Sequence, residues 1–84
     1  MFDDTTVINV TTEVDEETIK SVLRDVLESL EERGYNPVNQ LVGYLMSGDL
    51  GYISSYKNAR NKISEIDRSI IIESLIKNYL RWDI

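Results

Sequence analysis

The sequence predicts an all-α protein, a compact bundle of four to five short helices behind a flexible N-terminal arm. Apolar residues recur at every third or fourth position in its longest segments, as they do on the buried face of a helix. Residues that cap or stop helices flank these segments, among them Asp15, Gly34, Asn36 and Gly48. With 84 residues and a hydrophobic content of 42%, the chain can build one core. We therefore expect one helical domain.

The first helix is predicted just after Asp15, which can accept the free N–H groups of the first turn. Gly34 can take the left-handed conformation that ends many helices. Six apolar residues form one continuous stripe between these two signals: Ile19, Val22, Leu23, Val26, Leu27 and Leu30. The amphipathic pattern indicates that this helix covers the core.

The second helix is predicted between Asn36, as its N-cap, and Gly48, as its stop. Pro37 fits the first helical position, where no backbone N–H is needed. Its buried stripe is predicted to be Val38, Leu41, Val42 and Leu45. Gly43 lies in the middle of this helix, at a cost of about 0.8–1 kcal/mol relative to Ala. We interpret it as a point where another backbone comes close.

Further helical segments are predicted in the rest of the chain from its apolar spacing. A helical period links Tyr56, Ala59, Ile63 and Ile66. Asp67 is predicted to cap the last helix, with Ile66 and Ile71 in contact across its start. The last stripe is wider than one antiparallel partner covers, and it consists of Ile71, Ile72, Leu75, Ile76, Tyr79 and Leu80. The surplus apolar face favours a homodimer.

This pattern divides the chain into two parts. Residues 1–14 are predicted to be a flexible arm, because they show no helical period and no cap. Residues 15–84 are predicted to be a helical domain for dimerisation and partner binding.

Composition excludes several kinds of chemistry. The chain has no Cys and no His, so it has no disulfide, no thiolate or imidazole metal ligand, and no Cys or His nucleophile. The sequence GDLG at 48–51 lacks the Lys of a phosphate-binding loop. Clustered Glu residues on the first helix are typical of a solvated face. We predict no catalytic residue, no metal site and no cofactor, and expect a protein that is not an enzyme.

Charge and hydropathy bear on partners and location. The net charge is −6, and residues 1–32 hold ten acidic residues against Lys20 and Arg24. An acidic chain without clustered Lys and Arg is a poor ligand for nucleic acid. The N-terminus has no basic leader, and no 18-residue apolar run occurs. We expect a cytoplasmic protein that does not insert into membranes.

Some residues are left over from the helical pattern as possible partner contacts. They are Tyr35, Asn39, Gln40, Tyr44 and Tyr56. The cations Lys57, Arg60, Lys62 and Arg68 form the one basic cluster in the sequence. Two interpretations of that cluster stay open. It is either a set of surface charges in local ion pairs or a face that recognises a phosphate or an acidic segment.

The segment GYNPVNQLVGYLMSGD, residues 34–49, carries a resemblance to a known family. It is similar to the IreB/ReoM family of regulatory phosphoproteins from Gram-positive bacteria, whose pattern there is G-Y-N-P-I/V-N-Q-I/L-V-G-Y-L/V-L/M-S-G-D. Tyr52-Ile53 and Asn58-Ala59-Arg60-Asn61 continue the match. The last helix also resembles the last helix of the family, so the similarity covers nearly the whole chain.

The resemblance implies a helical homodimer without enzymatic activity, phosphorylated on a threonine of its N-terminal arm. The kinase is a membrane Ser/Thr kinase with extracellular PASTA repeats, and a PP2C-type phosphatase reverses the reaction. The family's arm, T-M/V-x-F/I-N-F/L/V, fits TTVINV at 5–10 with Thr5 as the acceptor. Thr6 is a second candidate, because the register can shift by one residue.

The resemblance further implies that the switch controls peptidoglycan synthesis and tolerance of cell-wall antibiotics. In some members it acts on regulated proteolysis of a cell-wall enzyme, so the implied partners include a protease complex or that enzyme. Residues 48–55 read GDLGYISS where the family reads G-D-P-A-Y-I-P-R, and Ser64 replaces a further arginine. With Ser55 and Ser64 in place of these arginines, the partner surface is less basic than in the family. A small adaptor dimer with a passive tail is the alternative function.

Overall fold

A computed structural model describes residues 14–81 and is all-α over that range, which confirms the predicted fold class. Its four α-helices are α1 (Glu16–Glu32), α2 (Pro37–Ser47), α3 (Ala59–Ser64) and α4 (Arg68–Leu80). Two single-turn 3₁₀ segments, Leu50–Tyr52 and Tyr56–Asn58, lie between α2 and α3. Thr5, Thr6 and the other residues before Val14 lie outside the described residues.

Both ends of α1 are built as the sequence predicts. The Asp15 carboxylate accepts the backbone N–H of Thr18 at 2.8 Å. That hydrogen bond, and a second one from the Thr18 side chain, lower the pKa of Asp15. At the other end Gly34 has φ +85°, and the Tyr35 N–H donates to the Leu30 carbonyl at 3.0 Å. This left-handed end turns the chain sharply toward α2.

The core forms around one face of α1, which packs mainly against α2 and α3 and makes fewer contacts with α4. Of the predicted α1 stripe, Ile19, Leu23, Val26 and Leu30 are buried, and Val22 and Leu27 are partly buried. The later elements add eight buried apolar residues: Leu41, Tyr44, Ile53, Ala59, Ile63, Ile66, Ile70 and Ile71. A single core therefore joins all four helices.

The predicted buried face of α2 is wrong in part. Leu41 is buried, but Val38 and Val42 are 62% and 51% exposed, and Tyr44 takes the core position at 5% exposed. Apolar residues lie on both sides of this helix, so hydrophobicity alone does not say which side meets α1. Val38, Val42 and Met46 instead form an exposed row at intervals of four residues.

Gly43 is also explained differently from the prediction. A Cβ at this position would lie 2.6 Å from Cδ1 of the Tyr52 ring. The close neighbour is therefore an aromatic side chain and not another backbone. Glycine at this position lets the Tyr52 ring lie flat against α2.

The segment before α4 departs from the predicted helical period. Lys57 and Asn58 have φ of 54° and 63°, and this left-handed pair separates Tyr56 from the start of α3 at Ala59. Asp67 does precede α4, but within the described chain its side chain accepts no capping hydrogen bond. Ile66 and Ile71 are both buried at that junction. Apolar packing, rather than a side-chain cap, therefore marks the start of α4.

Candidate functional site

The segment at 34–49 first of all positions α2. The Asn36 side chain accepts the Asn39 N–H at 3.1 Å, and Pro37 takes the first helical position. Gly48 ends the helix with φ +77°. These three residues are used for geometry, as predicted. They place Tyr35 and Gln40 at the end of α1, beside the segment that follows α2.

A polar hollow of about 270 Å³ opens where these elements meet. It brings together four of the seven predicted partner-binding residues: Tyr35, Gln40, Tyr56 and Arg60. Arg33, Tyr52, Ser54 and Ser55 complete its polar lining. We call this site the polar hollow.

Hydrogen bonds to backbone carbonyls hold the hollow in shape. The Gln40 side-chain amide donates to the Tyr52 carbonyl at 3.0 Å, and Arg60 Nε donates to the Ile53 carbonyl at 2.6 Å. Behind the hollow, the buried Ser29 hydroxyl donates to the Tyr56 carbonyl at 2.9 Å. Because these three side chains satisfy carbonyls in the loop between α2 and α3, they fix that loop against α1, α2 and α3 respectively through Ser29, Gln40 and Arg60.

Two cations lie close to the ring of Tyr56. The Arg33 guanidinium is 5.2 Å from the centre of the Tyr56 ring, and Lys57 Nζ is 5.3 Å from it. Lys57 Nζ also lies 3.1 Å from a Glu32 carboxylate oxygen. This hydrogen-bonded ion pair raises the pKa of Lys57, and the neighbouring Tyr56 and Glu28 add smaller contributions. Lys57 therefore stays protonated and its charge is compensated by Glu32, whereas Arg33 lies over an aromatic face.

Sequence reasoning missed four polar residues of this site: Arg33, Tyr52, Ser54 and Ser55. Arg33 is the charged one among them. It looked like the ordinary last residue of α1, immediately before the predicted stop at Gly34. Its position on the hollow depends on a loop more than twenty residues away, which no local pattern shows.

The remaining predicted contact residues lie elsewhere. Asn39 is exposed on α2, outside the lining of the hollow. Tyr44 is in the core, so its side chain offers no surface on this protomer. Arg68 Nη1 donates to the Leu45 carbonyl at 3.1 Å and packs against Gly48. Its positive charge thus lies at the negative end of the α2 dipole.

The basic cluster is divided in the same way. Lys62 lies 3.2 Å from an Asp25 oxygen of α1, and Lys57 is paired with Glu32. Both lysines thus follow the local ion-pair interpretation. Arg60 differs, because it lines the polar hollow.

A second exposed region is apolar and lies on the outer half of α4. Its members Leu75, Ile76, Tyr79 and Leu80 surround a shallow depression of about 610 Å³. Ile76 is 54% exposed and Tyr79 is 88% exposed. A groove of about 490 Å³ between α1 and α4 continues this surface and is lined by Ile19, Leu23, Leu27 and Leu75 among others. We call Leu75, Ile76, Tyr79 and Leu80 together the α4 face.

One polar network crosses that groove. The Glu16 carboxylate accepts the Ser74 hydroxyl at 2.5 Å and the Asn78 amide at 3.1 Å. This network ties the first turn of α1 to α4, where direct packing is sparse. It gives α4 a fixed direction relative to α1.

The described residues also bear on metal binding and on membrane crossing. Among residues 14–81, no three acidic side chains come together as a metal site would require. None of the helices in that range combines the length and the apolar character needed to cross a bilayer.

The comparison with known families agrees with the predicted resemblance. The sequence model of the IreB regulatory phosphoprotein family matches residues 3–81, which includes the whole described helical region and most of the arm. The family description names regulation and phosphorylation, and it implies protein partners. The chain therefore belongs to the IreB family of regulatory phosphoproteins.

Proposed function

We propose that this protein is a non-catalytic cytoplasmic regulator, switched by reversible phosphorylation of Thr5 in its N-terminal arm. A PASTA-type Ser/Thr kinase adds the phosphate, with Thr6 as the neighbouring acceptor, and a PP2C-type phosphatase removes it. The switch controls peptidoglycan synthesis and tolerance of cell-wall antibiotics through contact with a protein partner. The observation that carries the proposal is the family match, which begins at residue 3 and so spans both threonines.

The partner surface in this proposal is the polar hollow with its rim. Tyr35, Gln40, Tyr56 and Arg60 combine aromatic faces, an amide and a guanidinium, a mixture enriched where proteins bind one another. The partner is either a protease complex or the cell-wall enzyme that it degrades. Asn39, exposed on α2 next to Gln40 in the chain, extends this surface, whereas Arg68 lies apart from it at the other end of α2.

Self-association is the second part of the proposal. The α4 face leaves four large apolar side chains in water on one protomer. Burying such side chains releases about 1.5–3 kcal/mol each. A second copy that packs against the α4 face gains this term for both protomers, because a two-fold interface uses the same surface twice.

The phosphorylation is tested with the kinase domain from the same cell. The full chain is incubated with it and the sites are mapped by mass spectrometry, with Thr5→Ala, Thr6→Ala and the double variant in parallel. We expect a single phosphate on the arm, removed by the phosphatase and absent from the double variant. Phosphate confined to residues 14–84, or no phosphate at all, would overturn the proposed switch.

An adaptor dimer with a passive tail is the competing function. The exposed α4 face and the α2 row of Val38, Val42 and Met46 would serve an adaptor whether or not the arm is modified. Deletion of residues 1–14 separates the two. If the protein is a regulator, the deletion abolishes the effect of the kinase on partner binding and on antibiotic tolerance. If it is an adaptor, the shortened chain gives the same partner binding and the same tolerance as the full chain.

A further inference from the structure

The polar hollow contains more positive charge than its own surroundings neutralise. Arg33 and Arg60 both line it, and neither forms an ion pair with an acidic side chain in the range 14–81. The nearby lysines, Lys57 and Lys62, do form such pairs. Glu32, which precedes Arg33 in the chain, is engaged by Lys57, and the two guanidinium groups remain for an anion from outside the described chain.

The size and lining of the hollow narrow the class of anion. Its volume of about 270 Å³ is smaller than the roughly 300–1,000 Å³ of sites that hold whole small molecules. This size favours a small anion, such as a single phosphoryl group on a side chain. Guanidinium groups bind phosphate oxygens through paired N–H donors, and the hydroxyls of Tyr35, Ser54 and Ser55 add further donors.

We propose that the polar hollow binds the phosphoryl group of a phosphothreonine carried by the arm of the same chain. This inference rests on the proposed phosphorylation of Thr5 or Thr6. It goes further by naming the receptor for the phosphate and the direction of the switch.

Chain length supports this occupant. Thr5 lies nine residues before Val14, whose side chain packs on the core at the start of α1. Leu30, in the lining of the hollow, lies near the other end of α1. At 1.5 Å per helical residue, the distance along α1 from Glu16 to Leu30 is about 21 Å, and the two residues from Val14 to Glu16 add at most about 7 Å. Nine extended residues span up to about 30 Å, so the phosphate of Thr5 can reach the hollow of its own protomer.

Tethering makes a modest site sufficient. Arg33 and Arg60 are exposed, so their attraction for free phosphate is weakened by water and salt. A group attached through a short stretch of the same chain is present at an effective concentration in the millimolar range. An intrinsic affinity too weak to bind dilute inorganic phosphate is therefore strong enough to hold the phosphate that is attached to the same chain.

Occupation of the hollow gives the switch its direction. Tyr35, Gln40, Tyr56 and Arg60 form the proposed partner surface and also line the hollow. A docked phosphothreonine covers these residues. Phosphorylation then releases the partner, and removal of the phosphate exposes the surface again.

The test uses the full chain with phosphothreonine installed at position 5 during synthesis, so no kinase is needed. The second pKa of the phosphate, about 6 when free, is measured by ³¹P NMR and compared with that in a phosphorylated peptide of residues 1–13. We expect the full chain to show a pKa lower by about half a unit or more, because guanidinium groups favour the dianion.

Matched variants locate the effect. Arg33→Gln removes an exposed guanidinium and should reduce the lowering of the phosphate pKa by at least half. Arg24→Gln removes the same charge from the same helix, away from the hollow, and should leave the shift intact. Arg60→Lys keeps a charge but loses the Nε donor to Ile53, and should reduce the shift in part.

Three results would overturn the inference. An equal pKa in the full chain and in the peptide would show that the phosphate does not dock, as expected if the hollow instead accepts an acidic segment of the partner. Equal effects of Arg24→Gln and Arg33→Gln would reveal a general charge effect. In the third experiment, isotope-labelled unphosphorylated protein is mixed with unlabelled phosphorylated protein. A change in the NMR signals of Arg33 and Arg60 would show that the phosphate docks on a second copy and not on its own chain. Failure of the kinase to label Thr5 bears on the proposed function alone.

Discussion

The polar hollow and the α4 face are both exposed, but their chemistry is opposite. The hollow offers guanidinium groups, an amide and hydroxyls around a small cavity, and the α4 face offers large apolar side chains. Contact between a guanidinium and an anion weakens as salt rises, whereas burial of apolar surface does not. We therefore expect a lasting contact on α4 and a reversible one at the hollow. Substitutions in different regions of the molecule should therefore differ in their effects on stability, self-association and partner binding.

The largest effect is expected within α4, where a buried half adjoins the α4 face. Ile71→Ala should lower the free energy of unfolding by about 2–5 kcal/mol, because Ile71 is fully buried and its loss leaves a cavity. Ile76→Ala should cost less than about 1 kcal/mol at protein concentrations where the chain is monomeric. Urea unfolding measures both. Equal losses would mean that the two halves of α4 are packed alike.

The next effect concerns self-association. Ile76→Glu with Tyr79→Glu places two carboxylates on the α4 face, and should weaken the proposed dimer about tenfold or more through desolvation of the new charges. Sedimentation equilibrium measures this change. Val42→Glu is the control, because Val42 is about as exposed as Ile76 but lies on α2. A dimer broken by the control and not by the α4 changes would move the interface to α2.

A smaller effect separates geometry from contact within residues 34–49. Asn36→Ala should destabilise the protein by about 1 kcal/mol, because it removes the cap of α2. Asn39→Ala should change stability by less than about 0.5 kcal/mol, since its side chain is exposed. Thermal unfolding gives both values, and a pulldown reports partner binding. Weaker partner binding by Asn39→Ala at unchanged stability would support a contact role, and a loss of stability as large as that of Asn36→Ala would contradict it.

The smallest effect is a pH dependence at the start of α1, far from the hollow. The pKa of Asp15 is lower in the folded chain than its ordinary value of 3.8, because its ionised form accepts the Thr18 N–H. Its stabilising contribution is therefore present above about pH 4, and is lost as the pH falls through the lowered pKa. Asp15→Asn should flatten the fall in Tm over that acid range.

Asp67→Asn is the control for that measurement. Asp67 also precedes a helix, but its carboxylate accepts no capping hydrogen bond among the described residues. Its replacement should leave the acid limb of the Tm curve as it is in the wild type. Identical curves for both variants would show that the cap at Asp15 does not contribute.

The elements with local signals could be predicted from the sequence. Asp15, Gly34, Asn36 and Gly48 each act within a few residues of their position, so their caps and turns follow from residue type. The stripe of α1 was correct because its opposite side is charged. All-α architecture and the break between α1 and α2 follow from the same signals.

What the sequence could not show depends on distant contacts. Nothing local distinguishes Val38 and Val42 from Tyr44, since all three suit a core, and only the position of α1 decides which is buried. Lys57 and Asn58 both have positive φ, but neither is a glycine, so the sequence does not indicate a left-handed turn there. The polar hollow joins the end of α1 to a loop beyond α2, so the position of Arg33 at the hollow results from folding and not from a local motif.

One measurement tests most directly whether phosphorylation brings the arm to the hollow. The chain contains no cysteine, so Glu31→Cys, on the exposed side of α1 beside Leu30, accepts a single spin label near the hollow. Paramagnetic broadening of the amide signals of residues 3–7 is compared in chains with threonine and with phosphothreonine at position 5. We predict strong broadening only in the phosphorylated chain, reduced by Arg33→Gln and by high salt. Equal broadening in the two forms would contradict the account.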